Sequence, residues 1–196
     1  GEKLDSKILE KIKKVFPKAK LNNVYASTEA GSLLRAKGDL FQIPTRYKDL
    51  IKIDNNELII YEDLMGSSDS LSLTNQGWYR TGDLVEFIED GFRFVSRKSE
   101  MINVGGYKVN PSEVEEVIKK IPEVQDVIVF GRKNALMGAI IAAHVIKEDG
   151  IDVLDKELKQ KIKEITSNSM QDFKIPRSIK IVEKFDVTRT GKIKKL

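Results

Sequence analysis

The sequence predicts an α+β fold read in three stretches, and three observations predict it. The chain opens with helical periodicity followed by one short apolar run and a polar loop. Its middle consists of short apolar runs separated by short turn signals. Its last part alternates helix-period and strand-period patterns.

Residues 4–16 predict an amphipathic helix, with Leu4, Ile8, Ile12, Val15 and Phe16 near one face, lysines opposite, and Pro17 as the stop. A short apolar run over 21–25 reads as a strand, and the turn-prone Ala26-Ser27-Thr28-Glu29-Ala30-Gly31 follows it. Helix, strand and loop in that order predict an α/β unit, whose loops at strand C-termini commonly hold ligands. Strands at 51–53 and 57–61 flank Asp54-Asn55-Asn56, a hairpin turn. Strands at 84–88 and 92–95 flank Glu89-Asp90-Gly91, a second hairpin with its Asp-Gly signal.

The pattern changes near 97–100, the expected domain boundary. Asn110-Pro111-Ser112-Glu113 is a helix start: Asn110 caps, Pro111 suits the first turn and Glu113 can close a capping box. Val114, Val117, Ile118 and Ile121 give that helix its buried face. Strands are expected at 127–130, 139–146 and 178–182, and a helix over 154–170 with Leu154, Leu158, Ile162 and Ile165 on one side. His144, within the 139–146 strand, reads as a structural or exposed histidine, since no second metal ligand is spaced near it.

Composition bounds the function. At 196 residues, 40% hydrophobic and 33% charged, the chain fits one large or two small globular domains. No apolar run approaches the roughly 20 residues of a membrane-spanning helix. Zero cysteines exclude disulfides and thiolate catalysis and fit a reducing cytoplasm. The 34 basic and 30 acidic residues are spread along the chain rather than concentrated on one face, which argues against nucleic-acid binding.

Four segments carry candidate chemistry. In Tyr25-Ala26-Ser27-Thr28-Glu29, the aromatic can cover a base, the hydroxyl can bond a phosphate, and the carboxylate can hold Mg²⁺ through oxygen. Taken alone it reads rather as a surface loop with a half-buried tyrosine. In Gly77-Trp78-Tyr79-Arg80-Thr81-Gly82-Asp83, a carboxylate after a glycine turn can accept both hydroxyls of a ribose, or simply complete a turn. In the run from Ser96 to Glu115, Arg97 offers a planar fork of donors, and Gly105-Gly106 permit close backbone approach before a strand. In Thr188-Arg189-Thr190-Gly191-Lys192-Ile193, a lysine on a glycine-containing loop is a mobile point charge or part of a basic tail.

In this order the four segments resemble the adenylate-forming superfamily of acyl-CoA synthetases, peptide-synthetase adenylation domains and luciferases. The resemblance covers essentially the whole chain. Residues 25–29 match its Tyr-Gly-x-Thr-Glu element, with Ala26 in place of glycine. Residues 79–83 match Tyr-Arg-Thr-Gly-Asp without change, 97–115 match the element around the interdomain hinge, and 188–192 match the final element with the catalytic lysine. Gly1-Glu2-Lys3 is similar to the segment forming the other wall of the adenine slot.

The resemblance implies the end of an α/β large domain with a small β-rich subdomain over 1–98, then a small α+β C-terminal lid domain over 99–196. It implies an ATP-dependent ligase that joins a carboxylic acid to ATP and passes the acyl group from AMP to a thiol, of CoA or of a carrier protein. It places the enzyme in cytoplasmic fatty acid metabolism and related carboxylate chemistry. By resemblance Tyr25 stacks on adenine, with Gly1, Glu2 and Lys3 opposite. Thr28 contacts the α-phosphate, Glu29 helps hold Mg²⁺, and Asp83 and Arg97 grip the ribose. Lys192 bridges carboxylate and α-phosphate, Ser99 is the hinge, and Gly105 and Gly106 line the thiol tunnel. Ser99 replaces the commoner Asp or Lys of the hinge, and Asp186 stands where a proline often precedes the last element. A small residue at 26 argues against an acyl pocket closed to acetate size.

The family's Ser/Thr/Gly-rich phosphate loop ending in lysine does not occur in these 196 residues. The expectation is therefore a fragment, inactive alone, whose partner is the missing N-terminal portion of the same enzyme. Its residues 1–35 are then expected to be weakly ordered or associating, with independent folding over about 100–196. The alternatives are a natural short binding or complementing module without catalysis, or an adenylation domain acting on a carrier protein.

Overall fold

The computed structural model describes residues 12–66 and 72–186. The chain divides into two units, Gly1–Ser99 and Glu100–Leu196, each described by itself.

In the first unit, residues 12–15 are helical and the Phe16 N–H bonds the Ile12 carbonyl at 2.7 Å. The rest of the expected first helix, with Gly1, Glu2 and Lys3, lies outside the described residues. Strand β1 (Asn23–Ser27) folds back on β2 (Gly31–Ala36) as an antiparallel hairpin. The loop after the first strand is therefore a hairpin turn, a correction to the α/β unit read from the sequence. Strand β2 escapes a period-two reading because the adjacent Leu33 and Leu34 are both buried.

Strands β3 (Ile51–Asp54), β4 (Glu57–Tyr61), β5 (Trp78–Ile88) and β6 (Gly91–Arg97) make an antiparallel sheet in that order. The β3–β4 turn holds Asn55 and Asn56 at φ 50° and 61°, the left-handed pair of a type I′ hairpin, which asparagine tolerates. Strand β5 starts at Trp78 rather than at 84, so Gly82 belongs to a strand and not to a turn. It sits at φ 73° inside the register shift against β4, which spans Arg80 to Leu84; a second shift, against β6, follows at Leu84/Val85. A glycine in the left-handed region inside a ladder marks a β-bulge. At the β5–β6 turn it is Glu89, not Gly91, that takes positive φ. Gly91 instead opens β6 where a Cβ would stand 2.6 Å from the Phe41 carbonyl oxygen. Leu34, Phe41, Ile51, Leu58, Ile60, Val85 and Phe92 are the centre of this unit's core.

In the second unit, Asn110 caps helix α1 (Pro111–Lys119) by accepting the Ser112 N–H at 3.0 Å. Pro111, Val114 and Ile118 form its buried stripe. A sheet runs β11 (Ser178–Ile181), β10 (Gly138–Lys147), β7 (Ile102–Val104), β8 (Tyr107–Val109), with β9 (Val124–Asn134) along β10. Strands β9 and β10 are antiparallel, whereas β10 and β11 are parallel. A parallel neighbour needs a crossover, which helix α2 (Asp155–Ser169) supplies. Leu158, Ile162 and Thr166 are its buried face, and Leu154 stands exposed at its N-cap. Both helices share one core with Val109, Val129, Ile141 and Val145. No helix among the described residues is long and apolar enough to cross a membrane.

Candidate functional site

The bulge in β5 sets up the chemistry of the first unit. Thr81 donates its hydroxyl to the Leu58 carbonyl at 2.7 Å and accepts the Asp83 N–H at 3.0 Å. Glu57 on β4, only 3% exposed, accepts the Gly82 N–H at 3.0 Å and Arg80 Nη1 at 2.7 Å. Arg80 also pairs with Asp54, and Lys98 Nζ lies 3.8 Å from Glu57. A buried carboxylate is retained only when paired and hydrogen-bonded, and these partners satisfy that demand.

Asp83, 7% exposed, follows the bulge and faces Arg97 across the β5–β6 ladder. Both its oxygens are engaged. Tyr25 donates its hydroxyl to Oδ2 at 2.7 Å, and Arg97 donates Nε to Oδ1 at 2.8 Å. The Tyr25 ring lies flat on Phe94, with centroids 4.5 Å apart and planes 11° from parallel. Burial pushes the Tyr25 phenol well above its ordinary value, and the Asp83 charge and hydrogen bond add to this. Thr81 and Arg97 act the other way. The Arg97 side chain is 48% exposed, so its pair with Asp83 is partly open to solvent.

Three residues far apart in sequence thus meet at one carboxylate: Tyr25, Asp83 and Arg97. Glu29 belongs to the same neighbourhood. Tyr79 has its phenol pushed up by burial first and then by the Glu29 charge, with smaller opposed effects of Arg97 and Asp83. The Glu29 carbonyl accepts the Gly66 N–H at 2.6 Å, and Ser27 Oγ accepts the Ala30 N–H at 3.1 Å, fixing the turn that carries Thr28. Thr28 itself is exposed. Sequence reading gave no role to Tyr79 or Glu57. Tyr79 opens the Tyr-Arg-Thr-Gly-Asp run, which was its only signal; Glu57 reads merely as the residue after a turn.

Ser99 lies in a 3-10 turn, Lys98–Glu100, directly after β6. In the second unit Gly105 and Gly106 make the turn between β7 and β8. The Gly105 N–H bonds the Met137 carbonyl at 2.8 Å, and Asn103 Oδ1 accepts the Gly106 N–H at 3.1 Å. Exposed Tyr107 stacks on Phe173 beside this turn. Lys192 and the rest of 188–193 lie outside the described residues.

Residues 113–192 match the family model of the AMP-binding enzyme C-terminal domain. Over that stretch the chain is similar to the C-terminal domain of AMP-binding enzymes. Over 120 residues the chain is 36% identical to 2-succinylbenzoate–CoA ligase of Listeria innocua serovar 6a, a match covering 61% of the chain and 24% of that protein. It is 40% identical over 119 residues to the mitochondrial medium-chain acyl-CoA ligase ACSF2 of Rattus norvegicus, covering 60% of the chain and 19% of that protein. The chain therefore spans no more than about a quarter of the curated relatives it matches. Its fold is similar to o-succinylbenzoate CoA synthetase of Bacillus subtilis, solved with an acyl-adenylate, at TM-score 0.70 and 19% identity, over 98% of this chain and 43% of that one.

The donor set decides what a metal would need here. Among the described residues no three His, Asp or Glu side chains cluster to hold an ion. That suits Mg²⁺, which commonly takes one or two carboxylates and completes its shell with water and substrate phosphates.

Proposed function

We propose that this chain supplies the adenine and ribose side of the nucleotide site, together with the C-terminal lid, of an ATP-dependent acid–thiol ligase. In this reading 1–98 ends the large domain and 99–196 is the lid. The observation that supports it is the doubly held Asp83 carboxylate. A carboxylate has about four lone-pair positions. Tyr25 and Arg97 take one on each oxygen, which leaves a second on each for the two ribose hydroxyls. A group fixed in advance positions its ligand without reorganising, so Asp83 and Arg97 orient the nucleotide rather than react.

Tyr25 flanks the adenine, with Gly1, Glu2 and Lys3 on its other side. Thr28 bonds the α-phosphate, and Glu29 offers the one carboxylate Mg²⁺ needs beside the phosphates. Attack of a carboxylate on a phosphate opposes two anions, and Lys192 offsets that repulsion. One fixed charge at the developing anion is typically worth about 10²- to 10³-fold. Ser99 is the pivot that withdraws Lys192 and brings Gly105 and Gly106 to line the path of the thiol, from coenzyme A or a carrier protein.

Because no phosphate-wrapping loop is among these residues, the chain is inactive alone and its partner is the upstream portion of the same enzyme. ATP–pyrophosphate exchange tests this. The 196-residue chain shows none, and exchange appears when the upstream portion is supplied in trans. Exchange by the chain alone, or none in the combination, contradicts the reading.

A further inference from the structure

We propose that Glu57 is a positioning residue for the ribose site, acting by reach rather than by charge. This rests on the nucleotide reading of Asp83. Glu57 does not touch the candidate nucleotide groups. It is buried on β4, and its Oε1 accepts the N–H of Gly82, the residue immediately before Asp83. Gly82 is where β5 leaves regular pairing with β4: its φ is 73° and it lies inside the register shift between Arg80 and Leu84. A bulge leaves one backbone group without a ladder partner and re-aims the next side chain. Glu57 Oε1 bonds that N–H. The same carboxylate holds Arg80 through Oε2. One buried side chain thus holds the Gly82 backbone on one side of Thr81 and the Arg80 guanidinium on the other, and the Thr81 hydroxyl in turn receives the Asp83 N–H. The direction in which Asp83 presents its oxygens is set by a residue on the neighbouring strand.

A role by reach and a role by charge predict opposite results for two conservative changes. Glu57→Gln can keep an acceptor oxygen at the same distance from Gly82, but its amide nitrogen then faces the Arg80 donor, so both the charge and the Arg80 bond are lost. Glu57→Asp keeps the charge and draws the acceptor back by one methylene. The probes are AMP and an AMP analogue lacking both ribose hydroxyls, titrated into the intact 196-residue chain and followed by backbone amide NMR. Hydrogen bonds to a charged acceptor predict a preference for AMP of at least about tenfold in the wild type. Asp83→Asn removes that preference.

Positioning by reach predicts that Glu57→Gln retains the preference, with the Gly82 amide proton still hydrogen-bonded, and that Glu57→Asp reduces it towards unity while the core resonances of Ile51 and Ile60 stay in place. Retention in Glu57→Asp with loss in Glu57→Gln makes the role one of charge and overturns the inference. So does retention, or loss, in both. A wild-type chain with no preference removes the nucleotide reading itself, and this inference with it.

Discussion

At the scale of single residues, the Tyr25 hydroxyl and the Asp83 carboxylate hold each other in place. Tyr25→Phe removes one donor from a nearly buried carboxylate. Leaving such a group short of a partner costs about 1–3 kcal/mol, so the unfolding free energy of Tyr25→Phe from urea titration falls by that amount with the fold intact. The same bond has a pH signature. Burial and Asp83 raise the phenol above its ordinary value, so the folded chain holds that proton more tightly than the unfolded one. Its contribution is complete below about pH 10 and is lost as pH rises beyond that, the value at which a free tyrosine ionises. Stability measured against alkaline pH therefore falls more steeply in the wild type than in Tyr25→Phe. Equal slopes contradict the assignment. Single residues were also where sequence reading was least complete. Tyr25, Asp83 and Arg97 stood out by motif, but nothing in the spelling of Asn55-Asn56-Glu57 marks Glu57 as the brace of Gly82, 25 residues on.

At the scale of elements, the turns and caps were legible because their chemistry is local. Asn55-Asn56 makes the hairpin it spells, and Asn110 caps the helix it precedes. Asn110→Ala loses that cap and costs about 1 kcal/mol, measurable as a lower thermal midpoint. The misreadings came from partners distant in sequence. Gly82 looked like a turn because only pairing with β4 and β6 shows it to be a bulge. Leu33-Leu34 hid β2, and Leu154 falls on the helical face by spacing yet sits outside the core at the N-cap.

Gly91 spells a turn but is required by the Phe41 carbonyl. Gly91→Ala forces Cβ against that oxygen at 2.6 Å and destabilises by about 1–3 kcal/mol, the usual cost of overpacking. On β10, His144 meets Phe130 edge-on, with centroids 4.9 Å apart. Burial first, then the Lys180 charge, hold its imidazole below the ordinary range, against the opposing pull of Asp186. The unfolded chain takes up this proton first as pH falls below about 6.5. Stability is therefore lost towards acid, and His144→Gln flattens that part of the profile in urea titrations at stepped pH.

At the scale of the whole molecule, the α+β class was legible from the change in periodicity along the chain, and the likeness to AMP-binding enzymes from four motifs in order. What the sequence withheld was how the site is held. The meeting of Tyr25, Asp83 and Arg97 depends on β1 reaching the β5–β6 ladder, a tertiary contact with no local signature. The account's central claim is that this meeting point receives a nucleotide. The direct measurement is an AMP titration of the 196-residue chain by backbone amide NMR, repeated with Asp83→Asn. The account predicts saturable shifts centred on Tyr25, Gly82, Asp83 and Arg97 in the wild type, lost in the variant. Shifts elsewhere, or shifts at these residues that persist in Asp83→Asn, contradict it.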